Sequence, residues 1–198
     1  MKKYAFYLSL LLFISCGPST KIVSAWHEPG SVIETAADKK MLVMAMVKDE
    51  TSRRVIEDQL VKRMNGKGAV SYTFVNEALL KQSESAFEER LKADKFDYVL
   101  MMRLANIENE TTFVPGNNTG YYGGYGRYYR YSAPMYYDPG HYQTDKNYTI
   151  ETTVYDVPAN KLIWSSSTKT VNPEKLEKTI NEIADVVSER MRKEGFLK

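Results

Sequence analysis

The chain is poor in the residues that most often carry chemistry. Its 198 residues include one cysteine, Cys16, and two histidines, His27 and His141. A single cysteine excludes an intrachain disulfide framework and a multi-cysteine metal site. Neither histidine has a second histidine or a cysteine at ligand spacing, so no metal site is predicted. No nucleophile elbow, phosphate loop or HExxH helix occurs. Gly123-Gly-Tyr-Gly126 does not sit between a strand and a helix, as a dinucleotide fingerprint requires. No cofactor is expected. Acidic pairs such as Glu88 with Glu89 and Glu108 with Glu110 fall where solvated faces are expected. Net charge is also scarce, at +2.

What is present begins with Lys2 and Lys3, an apolar run from Tyr4 to Ile14, and Ser15 directly before Cys16. The run is about half the roughly 20 residues that cross a bilayer as a helix. Its flanks have the pattern of a cleavable signal. Residues 1–15 hold two lysines and no acid, so their removal takes the formal charge from +2 to 0.

These residues resemble the signal peptide and lipobox of a bacterial lipoprotein, with Phe13 where that pattern prefers leucine. The resemblance implies that Cys16 carries a diacylglyceryl thioether and an acylated amine, tethering the chain to a membrane. One acyl chain holds marginally and two or more hold stably. An acylated Cys16 leaves no thiol for catalysis. The predicted organisation is a signal peptide at 1–15, a lipidated cysteine with tether and N-terminal segment at 16–40, and one globular domain at 41–198.

Along the mature chain, residues from Lys21 to Trp26 are β-prone and end at the turn signal Glu28-Pro29-Gly30, which predicts a short edge strand or a segment lying on the core. The unbroken apolar run Met41–Val47 predicts a central strand covered on both faces. Thr51 or Ser52 is expected to cap the next helix, whose apolar positions are Val55, Ile56, Leu60 and Met64. Ala69 to Val75 reads as a second strand. Asn76 to Ala93 reads as a weaker helical region with Leu79, Leu80, Phe87 and Leu91 as its contacts. Phe96 to Ile107 reads as a third, central strand in which Arg103 is paired or near an end.

Tyr148–Asp156 and Leu162–Thr168 flank Pro158-Ala-Asn160-Lys161 as a hairpin, with Trp164 anchoring the second arm. Asn172 is expected to cap a final helix with Pro173 at its first helical position and a stripe of Leu176, Ile180, Ile183, Ala184, Val187 and Met191. Phe196 and Leu197 are expected to fold back onto the sheet. The predicted fold is α/β, with α+β as the alternative: a mixed sheet of about five strands in the order β-α-β-α-β, insertion, β-β-α.

The insertion, 114–147, holds nine of the fifteen tyrosines. A loop of that length is uncommon in a compact domain unless it is functional or disordered. Its candidate binding surface is Tyr121, Tyr122, Tyr125, Arg127, Tyr128, Tyr129, Arg130, Tyr131, Tyr136, Tyr137 and Tyr142. Tyrosine offers contact area at low entropic cost, and arginine adds cation–π contacts. The competing reading is a flexible Gly/Tyr segment that specifies no single shape. Nucleic acid is not expected, because Arg127, Arg130 and Lys146 against Asp138 and Asp145 leave a charge of only +1 between Val114 and Asn147, too little for a phosphate-tracking groove.

Trp26, the stretch Lys48-Asp-Glu-Thr-Ser-Arg-Arg54, the Tyr/Gly loop and Asn160-Lys-Leu-Ile-Trp164 before a final helix resemble small lipoproteins common in Bacteroidetes. The element order is more distantly similar to the TolB amino-terminal, curli-secretion and penicillin-binding-protein-activator lipoprotein domains. These resemblances imply a cell-envelope accessory or binding role without catalysis. The expected partners are the membrane, through Cys16, and an envelope protein. A glycan- or peptidoglycan-binding lipoprotein using the tyrosine-rich loop is the alternative, and a carboxylate-based envelope hydrolase is the third reading.

Overall fold

A computed structural model of the chain describes residues 19–33, 39–64, 68–75, 83–114 and 140–197. Thr20–His27 forms β1, Met41–Met46 β2, Glu50–Arg63 helix α1, Gly68–Val70 β3, Glu84–Ala93 α2, Tyr98–Val114 β4, His141–Asp156 β5, Lys161–Val171 β6 and Leu176–Lys193 α3. The six strands make one mixed sheet in the order β1-β6-β5-β4-β2-β3. β2 runs parallel to β3 and β4, and every other pairing is antiparallel. The α/β class is as expected, with one strand more than the approximate five. Thr20–His27, placed by the sequence with the N-terminal segment, is hydrogen-bonded to β6 as an edge of this sheet.

Strand β2 explains the packing on both faces of the sheet. Its side chains alternate across the sheet, and because both faces are covered both parities are apolar. Val43 and Ala45 join the core under α1 and α3, with Leu100, Val154, Trp164, Ile183 and Phe196. Leu42 and Met44 point the other way, with Val75, Leu91, Phe96 and Val99, beneath α2.

Several local signals resolve differently from expectation. Asp49, not Thr51 or Ser52, caps α1: its carboxylate accepts the Ser52 N–H at 2.7 Å. Ser83 caps α2, accepting from Ala86 N; Leu79 and Leu80 lie outside the described residues. Asn172 does not cap α3, which starts at Leu176 with no side-chain cap at Lys175. Instead Asn172 adopts φ 47° and turns back to β5, accepting the Lys146 N–H at 2.8 Å and donating to Asp145 Oδ1 at 2.8 Å. Its side chain is thus spent on closing the β6–α3 turn. Leu176 is consequently exposed, while Ile180, Ile183, Val187 and Met191 form the buried stripe.

The chain end closes the core as predicted. Gly195 ends α3 at φ 70°, Phe196 stacks on Trp164 at 6.3 Å between centroids, and its carbonyl accepts the Ile33 N–H at 2.7 Å. The β5–β6 turn is also as read, with Asn160 at φ 49° and Asp156 Oδ1 accepting the Ala159 N–H.

Strand β4 runs to Val114, past the expected end at Ile107. Pairing with β5 from Val114↔His141 onward takes both ends of the predicted insertion into a long hairpin. β2 stops opposite Arg103 and β6 stops opposite Asn147. Beyond those points, among the described strands, Glu108–Val114 and His141–Lys146 pair with each other alone and form a two-stranded ribbon.

Candidate functional site

The most concentrated polar cluster lies under α1. Glu57 is fully buried, and its Oε1 accepts from Ala45 N (3.0 Å), Arg53 Nε (3.2 Å) and Ser71 Oγ (2.6 Å). Oε2 accepts from Ser71 N (2.6 Å) and Tyr72 N (3.1 Å). The sequence reading extended β3 to Val75, but it ends at Val70 because this carboxylate takes the next two backbone donors and turns Ser71–Thr73 into a 3₁₀ turn. Ala45 N, which a longer β3 would have paired, is satisfied by the same oxygen that binds Arg53. Every bond made here holds backbone or core, so the cluster is a structural joint between α1, β2 and β3. Sequence reasoning passed over it. The available signal was helical spacing, since Glu57 stands four residues after Arg53 and three before Leu60, on the core-facing stripe.

The second feature is the side of β5, β6 and β1 away from α1 and α3. Cross-strand pairing sets Trp26 beside Ser165 and Thr153, and Ser24 beside Ser167, Glu151 and Arg103. Arg103 and Glu151 form an ion pair, as the sequence reading allowed. None of the described helices covers this stretch, and Trp26 keeps 45% of its surface exposed.

The third feature is the ribbon, whose two faces differ. Register places Ile107, Asn109, Thr111 and Phe113 on one face, opposite Tyr148, Lys146, Thr144 and Tyr142. The other face carries Glu108, Glu110 and Thr112 opposite Asn147, Asp145 and Gln143. The first face ends in an aromatic pair, Phe113 and Tyr142, with centroids 5.2 Å apart. Gly140, at φ 81°, lets the Phe113 ring close over the tip, since a Cβ there would lie 2.6 Å from Val114 O and 2.7 Å from Phe113 Cζ. On the acidic face, hydrogen bonds from Asn147 and Lys169 hold the Glu110 carboxyl below its usual range. Bonds from Gln143 and Asn172 do the same for Asp145.

Of the predicted tyrosine surface, Tyr142 is described, on this ribbon and 75% exposed. Tyr121, Tyr122, Tyr125, Arg127, Tyr128, Tyr129, Arg130, Tyr131, Tyr136 and Tyr137, like Cys16, lie outside the described residues. His27 sits against Phe196 at 6.2 Å between centroids, and His141 opens β5 opposite Val114, so the fold does not bring the two histidines together. Among the described residues no group of His, Cys, Asp and Glu is placed to hold a metal, and no helix is long and apolar enough to cross a membrane.

No protein-family model matches the chain, and no curated protein matches it. Solved structures do. A PelC dodecamer from Paraburkholderia phytofirmans is similar at 13% identity over 83% of this chain and 94% of that one, with a TM-score of 0.42. A leucine-to-methionine variant of the same dodecamer gives 12% identity, 83% and 95% coverage and a TM-score of 0.43. Lipoprotein GNA1162 from Neisseria meningitidis is similar at 10% identity over 78% of this chain and 99% of that one, with a TM-score of 0.39.

Proposed function

We propose that the protein is a cell-envelope lipoprotein, held to a membrane by acylated Cys16, with an accessory binding role and no catalysis of its own. The observation that carries this reading is the place where the sheet begins. β1 starts four residues after Cys16, so a lipid on that cysteine holds the sheet against the bilayer. The outer membrane is the proposed location, because Gly17 and Pro18 carry no acidic retention signal of the enterobacterial type.

The surface offered to a partner protein is the side of β5, β6 and β1 that none of the described helices covers, centred on Ser165 and Ser167 between Trp26 and Glu151. Its alternating hydroxyls, one indole and one ion pair suit a partner with matching hydrogen-bonding groups. The Glu57 carboxylate is no part of this surface, since its oxygens are engaged by five structural donors.

A photo-crosslinking residue at Ser167, in cells, is the test. Capture of one stoichiometric envelope protein is expected. Capture no richer than that of an unrelated lipoprotein would contradict the reading.

The exposed Trp26 beside the hydroxyl rows favours a glycan as the second reading, because indole faces stack on sugars while hydroxyls orient them. Peptidoglycan pull-down lost in Trp26→Ala would select it over the protein partner.

A further inference from the structure

We propose that the β4–β5 ribbon is a second membrane contact, lying on the bilayer surface with its Ile107, Phe113 and Tyr142 face toward lipid. The inference rests on the acylation of Cys16 proposed above and adds to it a protein surface that meets the same membrane.

The topology carries the argument. β1 runs antiparallel to β6, and β6 to β5, so Thr20, Thr170 and Tyr148 stand in one row across the sheet, with Ile107 of β4 completing it. The ribbon projects beyond that row, and the chain leading back to Cys16 leaves from the same row. Between Thr20 and Cys16 there are four residue steps, which span at most about 14 Å at roughly 3.3–3.6 Å per residue. Glu108–Val114 is seven residues, which extend about 24 Å at roughly 3.4 Å per residue. A tether shorter than the ribbon cannot lift it clear of the bilayer. Strand twist turns β4 away from β1 across the intervening strands, so the ribbon meets the surface obliquely and lies along it.

The chemistry of the two faces fits that placement. The face with Ile107, Phe113 and Tyr142 exposes these residues by 50%, 47% and 75%, and the positions between them hold Asn109, Thr111, Thr144 and Lys146, none of them acidic. The opposite face carries Glu108, Glu110 and Asp145, whose charges stay in water if the first face is turned to lipid. Aromatic rings with a polar tip are favoured at the headgroup level, and an amphipathic element lies there with its apolar side buried. An isolated two-stranded hairpin is marginal in water, so a ribbon built this way gains from a surface to lie on.

The test uses the full acylated chain in phosphatidylethanolamine–phosphatidylglycerol vesicles. With Cys16 blocked by its lipid, Tyr142→Cys and Lys161→Cys each offer one reactive thiol for an environment-sensitive fluorophore. Lys161, the first residue of β6 at the far end of the sheet, is the aqueous reference. Doxyl lipids are expected to quench the label at 142 at least about threefold more than at 161, and iodide to reach it less. Adding Phe113→Ser lowers that lipid quenching. A label at 142 as open to iodide as the one at 161 overturns the proposal. So does shielding that appears without vesicles together with dimer formation in sedimentation, which would assign the ribbon to a second copy of the chain. The mass of the Cys16 peptide separates the two levels of failure. An unmodified Cys16 sinks the lipoprotein reading, whereas a modified Cys16 with an aqueous label at 142 sinks the ribbon alone.

Discussion

Ser71 donates both its backbone N–H and its hydroxyl to the buried carboxylate of Glu57, each at 2.6 Å. Through this pair a single helical side chain ends strand β3 and takes the place of the backbone partner that Ala45 would otherwise lack. Removing the carboxylate leaves Arg53 without its buried partner and three backbone N–H groups unpaired. Glu57→Ala is expected to cost about 3–5 kcal/mol, the range for breaking a buried pair from one side. Glu57→Gln, which keeps one acceptor oxygen, should cost about 1–3 kcal/mol. Urea unfolding of the two variants checks both the size and the order.

The sheet contains the converse case. Thr152 and Ser166 are cross-strand neighbours on β5 and β6, and the hydroxyl oxygen of each is buried without a hydrogen-bond partner among the described residues. Replacing an unsatisfied hydroxyl by a methyl of similar shape relieves a desolvation cost. Thr152→Val should therefore leave stability unchanged or raise it by about 1 kcal/mol, read as an upward shift in the urea midpoint.

Much of this fold was legible because its strongest signals are periodic. β2 reads as apolar on both parities, and α3 carries Ile180, Ile183, Val187 and Met191 at helical spacing. The misreadings come from residues whose partners are distant in sequence. Asn172-Pro173 has the form of a helix start, yet the side chain finds Asp145 and the Lys146 backbone, more than 25 residues back. Ala69 to Val75 has strand composition, yet Glu57 takes the donors a strand would use. β4 turns largely polar after Ile107, which hid its continuation, because beyond that row no described helix packs on the ribbon to enforce a buried apolar alternation. The predicted tyrosine surface falls almost wholly outside the described residues, and what the structure adds is the ribbon from which that segment departs.

At the ribbon tip, Gly140 has no tolerated substitute. Alanine there would place its Cβ 2.6 Å from Val114 O at a φ of 81°, strained for any L side chain. Gly140→Ala should loosen the tip by about 1 kcal/mol or more, seen as faster amide exchange at Phe113 and Tyr142 while Val154 in the core is unchanged.

The base of the ribbon is sensitive to acid. Asp145 is held below its ordinary value of 3.8 by Gln143 and Asn172, and Glu110 below 4.5 by Asn147 and Lys169. A carboxyl with a depressed folded-state pKa contributes stability that is present above its unfolded value and lost as pH falls through the folded one. The Asp145–Asn172 link should therefore hold at neutral pH and weaken below about pH 4. Chemical shifts of the Asn172 side-chain amide, followed from pH 6 to pH 2, check this, and Asp145→Asn should flatten the profile.

The central claim, a lipid on Cys16, is tested most directly by growing cells with an alkyne fatty acid and comparing the native chain with Cys16→Ala. The account predicts label on the native chain and none on the variant. Equal labelling of both chains, or a native chain without label, would contradict it.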